Sequence, residues 1–267
     1  QDAEKVRQRR SRKTLPPHHL GGVHKRDALY SARREPPRLN VPQGYASPPH
    51  IAAASLDDLF DHPDFLGFHS SCGIEMNTCR LYSDFNCPFC YAMHERLHAL
   101  GVMDRISWQG VQHAPHLPVP MAGWAGHLAA ELKQEVQMVR RLAPELPIAV
   151  PPGKPNTGRA IAAAARALHM DPLRGGEFVR SLYRSFWVDG QDLSDETVLQ
   201  REAERQGFAS AQIVGREATA VDAILRAWND QWAEADHQGV PLLQRPDGTL
   251  LVGLMPADVI AEFLSGG

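Results

Sequence analysis

Apolar and polar positions fall into a regular period only from about residue 76 onward. Cys79 to Phe85 reads as a strand, and Asn86 ends it. From Pro88 the period becomes helical, because Phe89, Met93, Leu97 and Leu100 recur at three or four residues and Gly101 supplies a stop. Arg105 to Gln112 reads as a second strand around Ile106, Trp108 and Val111. A helical stretch follows. Gly126 to Leu142 carries Leu128, Leu132, Val136 and Val139 on one stripe, and Asn156 is placed to cap an Ala-rich helix from Thr157 to His169. Phe178, Leu182, Tyr183 and Phe186 mark another helix. Ser194-Asp195-Glu196-Thr197 opens one that runs to Arg205 and closes at Gly207. Ala218 to Ala235, with Val221, Ile224, Leu225, Trp228 and Trp232, is the last of the series. The tail returns to β structure: Val240 to Gln244, a turn at Arg245-Pro246-Asp247-Gly248, a return strand Thr249 to Gly253, and a closing helix Pro256 to Leu264. The order is β-α-β, a helical insert, then β-β-α.

The first 70 residues have another character. Basic residues crowd Val6 to Arg38, and Pro16-Pro17, Pro36-Pro37 and Pro48-Pro49 interrupt the segment. Few apolar residues recur at any period, so burial cannot offset the entropy of ordering, and a disordered tail is expected for residues 1–70. A basic arm for nucleic acid is the sharper alternative, but no binding fold accompanies it. Ser55 to Phe68 has a short amphipathic pattern around Leu56, Leu59, Phe60 and Phe65. Across all 267 residues, 43% hydrophobic and 22% charged content fits a globular protein with a core. A net charge of −3 gives no reason to expect nucleic acid or a membrane surface as partner. No apolar run reaches the roughly 20 residues that span a bilayer.

The four cysteines do not form a disulfide scaffold for a chain this long. Cys87-Pro88-Phe89-Cys90 is a C-x-x-C at a strand-to-helix turn, and in a reducing cell such a pair reads as redox or metal chemistry. The cysteines alone do not settle the compartment, and a cytoplasmic protein is expected. At a helix N-terminus the unpaired backbone N–H groups and the macrodipole favour a thiolate at Cys87. Pro88 suits the first turn, where its missing N–H costs nothing. Cys90 lies on the same face and is placed to attack a mixed disulfide at Cys87. Metal is the competing chemistry. Cys87, Cys90, His94 and His98 share a face, but that face is roughly 16 Å long, too long for one zinc with ligand bonds of about 2.0–2.3 Å. A two- or three-ligand site on Cys87, Cys90 and His94 stays open, and His94 and His98 are otherwise expected to be solvated helix residues. Cys79 is expected to be a buried inert thiol, and Cys72 is a candidate to pair with it.

Leu81-Tyr82-Ser83-Asp84-Phe85-Asn86-Cys87-Pro88-Phe89-Cys90-Tyr91 resembles the opening of DsbA-family oxidoreductases, in particular the FrnE-like branch. The resemblance runs from about Met76 to Leu264 and includes Trp108, Pro155-Asn156-Thr157, Asp192-Leu193-Ser194-Asp195 and Gly239-Val240-Pro241. It implies an α/β thioredoxin fold, β-α-β … β-β-α, over residues 76–267, with a helical domain inserted after the second strand at about 122–236. It implies a thiol–disulfide oxidoreductase with Cys87 and Cys90 catalytic, Pro88 and Phe89 tuning the pair, and a cis Pro241 with Val240 offering backbone to substrate. No organic cofactor or metal is implied. The partners would be protein or small-molecule thiols and disulfides, with a homodimer left open. Phe89 stands where strongly oxidising relatives carry histidine, which removes a polar group that steadies the thiolate. The long tail before Met76 is a second departure, and it suggests translation starting at Met76. The rival readings are a glutathione-dependent isomerase of the 2-hydroxychromene-2-carboxylate isomerase type, whose members carry serine at the first cysteine, and a non-catalytic metal-binding protein.

Overall fold

The computed structural model describes residues 78–215, 219–235 and 239–266. The expected disordered tail, the Ser55 to Phe68 pattern and Cys72 lie outside the described residues. The described chain begins with strand β1 (Cys79–Ser83), helix α1 (Pro88–Ala99), a short 3-10 turn (Met103–Arg105) and strand β2 (Ile106–Gly110). Helices α2 (Gly126–Leu142), α3 (Gly158–Met170), α4 (Pro172–Trp187), α5 (Glu196–Arg205), α6 (Ser210–Val214) and α7 (Thr219–Glu234) follow. Strands β3 (Leu242–Gln244) and β4 (Leu250–Val252) and helix α8 (Ala257–Ser265) close the fold.

The strands form one sheet in the order β2-β1-β3-β4. β1 runs parallel to β2, with Ser83 opposite Gly110, and antiparallel to β3, with Tyr82 opposite Leu242. Parallel neighbours need a crossover, and α1 supplies it. This is a thioredoxin fold with helices inserted after the second strand. The sheet positions the chemistry directly. Residues just beyond the ends of β1 and β2, and just before β3, are brought to one edge, where ligands of open α/β sheets ordinarily bind.

Local sequence accounts for most helix ends. Pro88 occupies the first turn of α1, and Gly101 takes the positive φ that ends it. Asp195 caps α5 by accepting from the Thr197 N–H at 2.9 Å, as the Ser-Asp-Glu-Thr run implies. At α3 the cap is split. Thr157 is the boundary residue, while the Asn156 carboxamide oxygen accepts from the Gly158 N–H at 3.1 Å. Leu132, Val136 and Val139 bury the stripe of α2, but Leu128 at its start is exposed.

The core joins sheet and insert. Phe85, fully buried, stacks against Trp108 of β2 and Tyr183 of α4 at 5.1 and 4.8 Å between ring centroids. The Trp187 indole N–H donates to the Phe85 carbonyl at 2.8 Å. Arg180 of α4 grips Glu95 of α1 with two bonds of 3.0 and 2.9 Å. These contacts correct one expectation. His94 is not solvated: it is 0% exposed, packs on Tyr183 at 5.0 Å and meets the half-buried His98 at 3.2 Å between Nε2 atoms. A helix enclosed by a sheet on one side and α4 on another buries more than one face, so apolar period alone undercounts its core.

Candidate active site

Cys87 is the N-cap residue of α1 and keeps extended backbone angles, φ −101° and ψ 118°. It is 8% exposed, whereas Cys90, one turn deeper, is 0% exposed. Neither is in a disulfide. The Cys87 thiol is pulled below its usual range mainly by the hydrogen bond from Cys90. Burial opposes this, while the backbone N–H groups of Cys90 and Phe89 and the charge of Lys154 assist. Burial and the neighbouring Cys87 push Cys90 well above its usual range. The pair is therefore divided into an ionisable, outward sulfur and a protonated, enclosed one.

Pro88 is buried in the first turn and Phe89 is half-buried beside it. The Cys87 Sγ donates to the Val240 carbonyl at 3.6 Å. The Val240–Pro241 peptide is cis, directly ahead of β3. A cavity of about 250 Å3 opens here, lined by Cys87, Phe89, His113, Lys154, Trp232 and Val240 among others. A larger cavity of about 750 Å3 lies beside His94 and His98, and it includes neither cysteine of the pair. Size alone does not select a site; the polarised thiols do.

The sequence did not single out the residues that surround the pair as site residues. Asp84, just past β1, is 0% exposed, and its Oδ2 accepts from His113 Nδ1 at 2.7 Å and from the His113 backbone N–H at 3.2 Å. Lys154 pairs with Glu135 at 2.7 Å. Asp84 and His113 are 29 residues apart, and only the parallel register of β1 and β2 brings them together. Trp232 belongs to the apolar stripe read on α7, but its place at the cavity comes from the return of that helix over the sheet edge. An Asp at the end of an apolar strand, three residues before Cys87, was the available clue, because a carboxylate buried there needs a partner.

Cys79 is buried and free, and burial raises its thiol. Among the described residues, no group of three or more His, Cys, Asp or Glu side chains is arranged to hold a metal ion. The His94 imidazole is engaged with His98 and Tyr183 rather than with the cysteines.

A dithiol at the helix N-terminus that follows the central strand, with an X-Pro loop against it, has the arrangement of a thioredoxin-like site. The model of the DSBA-like thioredoxin domain family matches residues 78–265, and the chain belongs to this family of thiol–disulfide oxidoreductases. No curated protein sequence matches the chain significantly. Solved structures share the fold at low identity. The cytosolic disulfide reductase DsbM from Pseudomonas aeruginosa, solved with GSH, is 15% identical with a TM-score of 0.57, over 71% of this chain and 98% of that one. A probable DsbA oxidoreductase from Streptomyces coelicolor is 17% identical with a TM-score of 0.57, over 71% and 88%. A 2-hydroxychromene-2-carboxylate isomerase is 17% identical with a TM-score of 0.50, over 71% and 93%. At such identities the likeness speaks for the fold. Among the described residues, no helix is long and apolar enough to cross a membrane.

Proposed function

We propose that the protein exchanges disulfides with thiol partners through a mixed disulfide at Cys87 that Cys90 resolves. The observation that carries this reading is the asymmetry of the pair, with Cys87 lowered at a helix N-terminus and Cys90 raised in the interior. The Cys87 thiolate attacks one sulfur of a partner disulfide. A Cys87–partner S–S bond forms, and the other partner sulfur leaves as a thiolate that takes a proton from solvent. Cys90 then gives up its proton and attacks Cys87 Sγ. The mixed disulfide breaks, the second partner thiol is released, and a Cys87–Cys90 disulfide remains. Two electrons pass from the dithiol to the partner; run backwards, the same steps oxidise a dithiol. Direction follows from the potential of the pair against that of the thiol pool.

Val240 and Pro241 fit the substrate-facing edge, because the Val240 carbonyl already lies at the Cys87 sulfur. Pro88 and Phe89 set the turn that carries both thiols. Protein or small-molecule thiols, glutathione among them, are the partners this site suits. The motif around Cys87 fits the FrnE-like branch, and the cytoplasm is the compartment in which a free C-x-x-C cycles readily. The tail and the insertion at about 122–236 are assigned as separate parts on the same reading.

The test is glutathione equilibration of the Cys87/Cys90 couple, followed by alkylation and mass spectrometry. A potential near about −270 mV marks a reductant and one near about −120 mV an oxidant. Cys90→Ser should accumulate a mixed disulfide at Cys87 and lose turnover, whereas a glutathione-dependent isomerase would tolerate that change. Absence of any redox-dependent form of the wild-type protein sinks the proposal.

A further inference from the structure

We infer that His113, clamped by the buried Asp84, is an electrostatic partner of the Cys87 thiolate and adds to the ionisation of that thiol. This rests on the reading of Cys87 as the attacking sulfur. The clamp is geometric. His113 donates from both Nδ1 and its backbone N–H to one oxygen of Asp84, and the Asn86 N–H reaches the other oxygen at 3.5 Å. A carboxylate with no solvent exposure needs a compensating cation, and His113 is its ion-pair partner among the described residues. With Nδ1 committed to Asp84, the proton that comes and goes is the one on Nε2.

The ring is 45% exposed and lines the same cavity as Cys87. The pair is thus an oriented dipole, with the carboxylate in the interior and the imidazolium at the cavity. The hydrogen bond to Asp84 raises the His113 pKa first. Burial opposes it, the charges of Asp84 and Cys87 raise it further, and Lys154 lowers it. A thiolate that favours the imidazolium is favoured by it in return, since the coupling between two titrating groups is mutual. Lys154, the other cation at the cavity, also lowers the Cys87 thiol, and Glu135 holds it at 2.7 Å as Asp84 holds His113. The groups facing His113 are Asp84 from the β1–α1 turn, Cys87 at the N-cap of α1, Glu135 from α2 and Lys154 from the loop before α3.

Two readouts on the full chain separate this inference from the proposed function. The first is the pH dependence of iodoacetamide alkylation at Cys87, read by mass spectrometry in wild type, His113→Gln and Asp84→Asn. At pH 6.5, His113→Gln should slow Cys87 alkylation about tenfold. Asp84→Asn should match it at neutral pH and recover part of the rate on acidification, because its histidine is still present to be protonated. The second readout is the glutathione equilibrium. His113→Gln should favour the disulfide about tenfold, which is about 30 mV more negative for a two-electron couple. An unchanged alkylation profile in His113→Gln overturns the inference even where the wild type exchanges disulfides. A shifted profile with no glutathione equilibrium in the wild type keeps the inference and removes the enzymatic reading. Should Asp84→Asn fail to fold, His113→Gln alone decides.

Discussion

Gly110 ends β2 three residues before His113, and it has no room for a side chain. A Cβ built there would lie 2.5 Å from Cγ2 and 3.1 Å from Cγ1 of Ile161 on α3, and 3.0 Å from the Trp108 ring. Comfortable carbon contacts need roughly 3.5–4.0 Å, so the Gly110→Ala methyl is short by about 1 Å. Ile161 cannot swing away easily, because it is buried and β-branched side chains are stiff at χ1. Overpacking of this kind costs about 1–3 kcal/mol. Reduced freedom of the unfolded chain returns about 0.4–1 kcal/mol. A net loss of about 1–2 kcal/mol is expected for Gly110→Ala from these two terms. Ile161→Ala alone should cost about 2–5 kcal/mol through the cavity it leaves. The double variant should lose less than the sum by about 1 kcal/mol or more, because the new methyl occupies space vacated by Cγ1 and Cγ2. Urea unfolding at unchanged m-value measures all three. Additive losses, or a Gly110→Ala protein as stable as wild type, would refute the packing argument.

Three further outcomes follow from the same contacts. Tyr183→Phe removes the hydroxyl that lies 2.5 Å from Ser83 Oγ in the interior and should cost about 1–3 kcal/mol in denaturant unfolding, with Ser83→Ala/Tyr183→Phe less damaging than the single change. Glu95→Ala unties α1 from Arg180 and Arg184, and since both arginines are partly solvent-exposed the expected loss is about 1–2 kcal/mol rather than that of a fully buried pair; a change within error would show the link to be idle. The two histidines should carry opposite pH signatures. His113 has a raised pKa, so its stabilisation is complete below its unfolded value near 6.5 and fades as pH rises through the folded value; the stability gap between wild type and His113→Gln should therefore be wider at pH 6 than at pH 9. His94 is held well below its usual range, chiefly by burial, so its contribution is present above about 6.5 and falls as pH drops. His94→Leu should accordingly gain on wild type between pH 7 and pH 5.

Much of this molecule is written locally. The switch of period at Cys87, the caps at Pro88 and Asp195, and the hairpin turn at Gly248 each follow from a few adjacent residues, and together they order the elements as the fold has them. The C-x-x-C and its place at the start of α1 were legible for the same reason, because a helix N-terminus acts on the residues it contains. The sequence also showed a loss, Phe89 where a thiolate-steadying histidine stands in some relatives. It could not show that an imidazole reaches the same cavity from the loop after β2. That depends on Ser83 pairing with Gly110, which aligns the ends of β1 and β2 and sets Asp84 against His113 across 29 residues of chain. The burial of His94 likewise depends on α4 lying across α1, a contact between residues 89 positions apart. Period and capping act over one or two turns, and so sequence determined the elements and the reactive pair. The charges that surround that pair were decided by strand register and helix packing, which exist only once the chain has folded.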